Sequence, residues 1–200
     1  MALKQYYNKT YIEAGCDEAG RGCLAGPVFA AAVVLNHRKP IKGLNDSKKL
    51  NEKQRNELRL EIEDRALCFA VAQLSNVEID KYNILKSSFM AMHRAIAQLH
   101  TQPTLLLIDG NRFLPYENIL HECIIKGDGI YQSIAAASIL AKTYRDEFMR
   151  KAHESYPAYN WAQNMGYPTK AHREAIKQFG PTPLHRMTFT LLKPQIILDL

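Results

Sequence analysis

Asp17 and Glu18 stand side by side just before Gly20-Arg21-Gly22, and two further acids, Asp109 and Asp128, follow short apolar runs later in the chain. In open α/β sheets, functional groups gather at the carboxyl ends of strands. If residues 11–17, LLLID (105–109) and CIIKGD (123–128) are strands, all four carboxylates belong to one edge of one sheet. Four such groups held together at neutral pH repel strongly unless their pKa values rise or cations lie between them. Oxygen donors without clustered histidine or cysteine favour Mg²⁺ or Mn²⁺ over zinc. A pair of such ions suits in-line phosphodiester hydrolysis, one generating hydroxide from water and the other stabilising the leaving oxygen. Taken singly, Asp109 and Asp128 also fit as solvated turn residues, and Asp17-Glu18 as a polar turn between strands.

The elements that must position these acids are read from periodicity and punctuation. Residues 11–17 and 28–35 read as two strands joined by a turn containing Gly20, Gly22, Gly26 and Pro27, with close antiparallel pairing the simplest arrangement. Asn51 with Gln54 has the pattern of a capping box, opening a charged helix that carries Leu58 and Ile62. Residues 66–74 read as a third strand. Ser75 and Glu78 make a second capping box, and one helix behind them places Leu85, Phe89, Met92, Ile96 and Leu99 on a single apolar face. LLLID is short and continuously apolar, as strands buried on both faces are, and CIIKGD reads as a second of that kind ending near Asp128. A helix from Gln132 to about Tyr156 opens with the small residues SIAAAS, which permit close approach to another element. Pro157, Pro168, Pro181 and Pro183 punctuate the C-terminal part. Five strands interleaved with helices, hairpin first and strand-helix-strand after, predict an α/β fold with a mixed five-stranded sheet flanked by helices and a largely helical segment from about 157. Without an internal repeat or low-complexity linker, residues 1–200 are expected to form one catalytic domain.

Lys plus Arg outnumber Asp plus Glu by 26 to 20, a formal net charge of +6 that suits a polyanionic partner. The longest uninterrupted apolar run, Val28 to Leu35, falls far short of the roughly 20 residues of a membrane helix, and MALKQYYNKTY has no signal-peptide core. A soluble, cytoplasmic protein without membrane contact is expected, a monomer by default. Cys16, Cys23, Cys68 and Cys123 lack the paired spacing of a zinc site and are expected to be reduced and partly buried.

Six blocks, in order, resemble the ribonuclease HII family of type 2 ribonucleases H: DEAGRGCLAGPV at 17–28, NDSKKL at 45–50, LLIDG at 106–110, KGDGIYQSIAAASILAKTYRD at 126–146, GYPTKAH at 166–172 and HRMTF at 185–189. The resemblance runs from about Glu13 to Phe189 and implies an RNase H-like fold. It implies a metal-dependent endoribonuclease that hydrolyses the RNA strand of RNA–DNA hybrids, including single ribonucleotides embedded in duplex DNA. The cut would fall 5′ of the ribonucleotide, leaving a 3′-hydroxyl and a 5′-phosphate. Asp17, Glu18, Asp109 and Asp128 would hold two Mg²⁺ or Mn²⁺ ions. Removal of misincorporated ribonucleotides and some primer RNA during replication and repair is the implied role, with any recruiting replication protein left open.

By position in the same blocks, Gly20-Arg21-Gly22 resembles the family's GRG motif, whose backbone and side chain approach the ribonucleotide and help to sense its 2′-hydroxyl. Lack of a Cβ suits both positive φ and close approach. Tyr167 matches the tyrosine that packs on the sugar beside the scissile junction and favours a deoxynucleotide on its 3′ side. Ser47, Lys48 and Lys49 resemble a phosphate-contacting segment, the alternative being a solvated charge run before the Asn51 cap. Lys142, Arg145 and Asp146, at helical spacing, suggest a surface ion-pair cluster in which Arg145 and Asp146 are structural and Lys142 fits either role. His185 and Arg186 match an HR block that either binds phosphate or fixes the tail against the domain. Cys23 departs from the family, where proline commonly follows the turn, and a small thiol is expected to relax that turn slightly. LLKPQIILDL, at 191–200, matches no block and is open as a terminal helix, a partner-binding segment or a disordered end. The related ribonuclease HIII carries an additional N-terminal substrate-binding domain, and with sixteen residues ahead of Asp17 ribonuclease HII is the expectation. The rivals are a noncatalytic hybrid-binding protein, a metal-dependent nuclease for ordinary DNA, and a glycosidase. The last fits poorly, because two working carboxyls must flank one bond rather than adjoin.

Overall fold

The structure, a computed structural model, describes residues 3–192; most of the unassigned tail, 193–200, lies outside the described residues. The expected hairpin is present: β1 (Glu13–Ala19) pairs antiparallel with β2 (Val28–Val34), setting Asp17 opposite Ala31. β3 (Cys68–Leu74) adds antiparallel to β2, β4 (Leu105–Asp109) parallel to β1, and β5 (Leu120–Ile124) parallel to β4. The sheet is therefore mixed and five-stranded, in the order β3-β2-β1-β4-β5.

Helices α1 (Glu52–Arg65), α2 (Asn76–Tyr82), α3 (Ile84–Ala97) and α4 (Gln132–Ser155) cover the sheet, and α5 (Trp161–Asn164) and α6 (Lys170–Phe179) follow. Side chains alternate across a strand, so the sheet supplies two apolar faces. Ala14, Cys16, Ala30 and Ala32 pack against Ala91, Met92 and Ile96 of α3, whereas Ala31 and Val33 meet Leu58 and Ile62 of α1 and the alanines of α4. A third cluster joins Leu24 and Ala25 to Met149 of α4, Trp161 of α5 and Ile176 of α6. The close approach foreseen for SIAAAS is made at Gly15, where a Cβ would sit 2.1 Å from the Ser133 carbonyl carbon. No helix among the described residues is long and apolar enough to cross a membrane.

Three boundaries differ from the sequence reading. β1 runs on to Ala19, so Asp17 and Glu18 lie within its last three residues, just past the end of its parallel pairing with β4, rather than closing the strand at Asp17. The single helix expected behind Ser75 is two: the Ser75–Glu78 capping box opens only α2, and Asn83, at φ 63° and ψ 162°, turns the chain and caps α3 through Lys86 N–H. Phe89, Met92, Ile96 and Leu99 are buried as expected, while Leu85, beside the break, is only half-buried. Asparagine combines a capping side chain with tolerance of positive φ. Asn83→Ala loses both, so urea unfolding should show a loss of about 1–2 kcal/mol. Finally, β5 is a partly exposed edge strand ending at Ile124, not a strand buried on both faces. Asp128 lies beyond it on a 3₁₀ turn, Gly127–Gly129. The apolar run Cys123–Ile125 misled because an edge strand has one neighbour and buries fewer positions.

Candidate active site

Parallel pairing of β1 with β4 sets Cys16 beside Ile108, so the next residues, Asp17 and Asp109, emerge together at the carboxyl ends. Asp17 shares its strand face with Gly15 and so lies beneath α4; Glu18 alternates to the other side as the strand ends. Asp128 arrives on the 3₁₀ turn, and Gly127 N–H of that turn donates to Asp109 Oδ1 at 2.7 Å. Asp17 Oδ1 accepts from Glu18 N–H at 2.7 Å, and Glu18 Oε1 accepts from Arg21 Nη1 at 3.1 Å. Lys48 Nζ stands 3.9 Å from Asp128 Oδ2. All four acids singled out from sequence are thus brought to one place.

Their electrostatics are those of crowded like charges. Burial, then repulsion from Glu18 and Asp109, holds the Asp17 carboxyl well above the usual carboxylate range. Burial raises Glu18 too, with Arg21 pulling the other way. Asp128 is pushed up to about 6 by burial and by Asp109 and Asp46, against the opposing pull of Lys48. Burial disfavours the Lys48 ammonium, yet the attraction of Asp128, Asp17, Asp46 and Asp109 carries its pKa above the ordinary lysine value. Among the described residues no three acidic, histidine or cysteine side chains are arranged, as they stand, to hold a metal ion. The donor set nevertheless suits a hard divalent cation. The four groups offer only carboxylate oxygens, and a bound cation would relieve the repulsion that raises their pKa values. Cys16, next along β1, turns away into the α3 core.

Beside the acids opens a cleft of about 230 Å³, whose walls include Glu18, Gly20 to Gly22, Lys48, Ser138, Lys142 and Tyr167. The two glycines of the turn differ. Gly20 has φ +100°, and a Cβ there would lie 2.0 Å from Arg145 Nε, whereas nothing stands within 4 Å of a Cβ on Gly22, which faces open space. Of the 47–49 segment, Lys48 faces the acids and Lys49 is exposed outside the cleft wall. Ser47 is buried, its Oγ 2.9 Å from Ser138 Oγ. Tyr167, 40% exposed, has the Lys142 ammonium and the Arg145 guanidinium each 5.9 Å from its ring centroid. Cys23 is fully buried and its N–H donates to the Gly20 carbonyl at 3.4 Å, a turn-closing bond that proline could not make. All four cysteines are free thiols.

The expected surface cluster on α4 is instead buried at Arg145 and Asp146. Arg145 donates to the carbonyls of Pro27, Met165 and Ala25 at 3.2, 2.8 and 3.1 Å. Lys142 Nζ is 2.6 Å from Asp146 Oδ1. Arg186 fixes the chain rather than meeting phosphate. It is wholly buried and donates to the carbonyls of Gly26, Arg21 and Pro27 at 3.0, 3.0 and 3.3 Å. Burial lowers its pKa to about 10. Together the two arginines bolt residues 21–27 from behind.

Asp46, Ser138 and His172 are not singled out by the sequence, and Lys142, open there between two roles, lines the cleft. Asp46 caps the 47–49 turn by accepting from Lys48 N–H at 2.9 Å and adds to the repulsion on Asp128. Ser138 and Lys142 share the cleft-facing side of α4, and their spacing of four was the available signal. His172, fully buried, lies 3.2 Å from His185 through their Nε2 atoms. Burial lowers the pKa of both rings, that of His185 to about 4. The unfolded chain therefore binds protons that the folded chain refuses between about pH 6.5 and 4, and stability from this source falls as pH falls through that window. The stability advantage of wild type over His185→Gln should shrink by about 3 kcal/mol between pH 7 and pH 4 in urea unfolding.

A mixed five-stranded sheet with carboxylates gathered where β1 and β4 end, roofed by one long helix, defines an RNase H-like nuclease. Residues 14–192 match the family model described as Ribonuclease HII, and the chain belongs to that family. It is 61% identical over 196 residues to the ribonuclease HII of Parabacteroides distasonis, covering 98% of each chain, and 62% identical over 190 residues to that of Bacteroides thetaiotaomicron, covering 95% of each. Among solved structures it is similar to the ribonuclease HII of Archaeoglobus fulgidus in complex with PCNA, at 26% identity and TM-score 0.75, covering 92% of this chain and 98% of that one. The chain is accordingly a hydrolase, an endonuclease that degrades RNA in RNA–DNA hybrids.

Proposed function

We propose that the enzyme, working over 1–200 as one catalytic domain, also nicks duplex DNA at a single embedded ribonucleotide, cutting on its 5′ side to leave a 3′-hydroxyl and a 5′-phosphate. The observation that carries this reading is the meeting of Asp17, Glu18, Asp109 and Asp128 beside a cleft walled by Gly20 to Gly22 and Tyr167. The four carboxylates are the groups that would hold two Mg²⁺ or Mn²⁺ ions. Bound there, such ions would supply activation of water and stabilisation of the departing 3′-oxygen. The chain's own task is to fix the nucleic acid. The open face at Gly22 lets backbone come close to the ribose, and Arg21, tied to Glu18, brings a donor to the same place. Lys48 neutralises phosphate charge next to the acids. Ser47 and Lys49 serve the segment differently, Ser47 by anchoring it to α4 and Lys49 as an outer phosphate contact. Tyr167 packs on the sugar 3′ of the cut and favours a deoxynucleotide. No protein nucleophile is needed, so the thiols and serines have no covalent part.

A noncatalytic hybrid binder is the poorer reading, because a polyanion would be repelled by four acids that binding alone does not require. The complex of the archaeal relative with PCNA supports a place in replication and repair. We take the enzyme to act as a monomer in the cytoplasm. The reading is tested with strand-labelled duplexes carrying one ribonucleotide, none, or an all-RNA strand, each with Mg²⁺, Mn²⁺ or chelator. Nicking 5′ of the lone ribonucleotide, abolished by chelator, supports it. Cutting of the all-RNA strand alone, or of plain DNA equally, sinks the substrate assignment.

A further inference from the structure

Behind Tyr167 lies a buried chain of hydrogen bonds whose proton positions are forced. Thr182 N–H donates to His185 Nδ1 at 2.8 Å, and a backbone N–H has no other role, so Nδ1 is the acceptor and the neutral ring carries its proton on Nε2. That proton points at His172 Nε2, 3.2 Å away. Trp161 Nε1–H, also a donor only, reaches the same His172 Nε2 at 3.0 Å. His172 Nε2 is therefore unprotonated, and the proton of that ring sits on Nδ1, aimed at the Tyr167 carbonyl 2.9 Å away. Trp161, His172 and His185 are all fully or almost fully buried, and the lowered pKa values of both rings agree with a neutral pair.

This chain of bonds joins the two walls of the cleft. On one side His185 bridges to Ala25, and Arg186 N–H donates to the Leu24 carbonyl at 2.8 Å, continuing into the arginine bolt under the Gly20–Gly22 turn. On the other, His172 holds the backbone of the residue whose ring forms the opposite wall. Leu24 N–H also donates to the Gly166 carbonyl at 2.8 Å, so the two walls already touch one residue before Tyr167.

Building on the assignment of Tyr167 to the sugar, we propose that His172, locked in one tautomer by Trp161 and His185, is a positioning residue that sets the distance from Tyr167 to the Gly20–Gly22 turn and so the strictness of discrimination at the 3′ sugar. His172 touches no substrate. It acts through the Tyr167 carbonyl, and its removal loosens selectivity rather than chemistry.

The test compares kcat/KM for a single ribonucleotide followed by DNA with that for an all-RNA strand paired to DNA, in wild type, His172→Phe, His172→Asn and Tyr167→Ala. Fluorescence of Trp161, the sole tryptophan, reports whether the indole bond is broken in a folded protein. His172→Phe should lower the single-ribonucleotide to all-RNA ratio about tenfold. His172→Asn, which can present an amide N–H near the position of Nδ1, should recover much of it and remains decisive if the phenylalanine variant does not fold. A uniform fall on both substrates, or no recovery with asparagine, overturns the positioning role while a changed ratio in Tyr167→Ala leaves the tyrosine assignment standing. An unchanged ratio in Tyr167→Ala overturns both.

Discussion

Asp109→Asn should slow cleavage of an RNA–DNA hybrid by about a thousandfold or more, equivalent to roughly 4 kcal/mol of barrier, while leaving the folded protein at least as stable. The substitution is nearly isosteric and keeps an Oδ1 that can accept from Gly127 N–H, so the tie between β4 and the Asp128 turn survives. What disappears is one negative charge. Asp109 is among the groups that push up the pKa values of Asp17, Glu18 and Asp128, so its neutralisation relaxes all three, and urea unfolding should show a gain of up to about 1–2 kcal/mol. Loss of rate with gain of stability is the pattern of a site whose repulsion is maintained for function. Single-turnover cleavage and unfolding of the same preparation measure both halves, and wild-type turnover would remove Asp109 from the chemistry.

Arg186→Met should have the larger effect on stability, a loss of about 3–5 kcal/mol. Methionine fills much of the same volume but leaves the buried Gly26 carbonyl and the part-buried Arg21 carbonyl without that donor, and the Pro27 carbonyl with Arg145 alone. Arg186→Lys would restore the charge but not the fork that reaches three acceptors, and should recover only part of the loss. The urea midpoint read by Trp161 fluorescence measures this, and a loss below about 1 kcal/mol would show that the turn stands without its bolt.

Much of this architecture is legible because its signals are local. The Asn51–Gln54 and Ser75–Glu78 boxes form as read, and α4 begins at Gln132 and ends one residue before Tyr156. Asp17, Glu18 and Asp109 are found because neighbouring ends of a parallel pair place side chains together, whereas Asp128, on a turn beyond the edge strand, is found through the motif order although its strand is misread. What sequence hides is tertiary. Nothing in the spacing of Lys142, Arg145 and Asp146 says that two of them are buried, since Arg145 is met by carbonyls on loops far along the chain and Asp146 by Arg55 of α1 as well as its helix neighbour Lys142. The break at Asn83 carries neither proline nor glycine, so the apolar period reads through it. His172 sits inside a block that also holds Tyr167, and its role depends on Trp161 and His185 meeting it from two other segments, with Thr182 fixing the tautomer of His185.

The bolt at Arg186 also bears on the order in which the site is assembled as the chain is made. Asp17 leaves the ribosome before Asp109 and Asp128, and the guanidinium that braces the turn behind Asp17 and Glu18 follows all of them. At about 5–20 residues per second, an emerging chain spends on the order of ten seconds or more with its acids unassembled. The two halves of the acid cluster therefore meet only after all the chain between them has been made, and the turn behind Asp17 and Glu18 is braced later still.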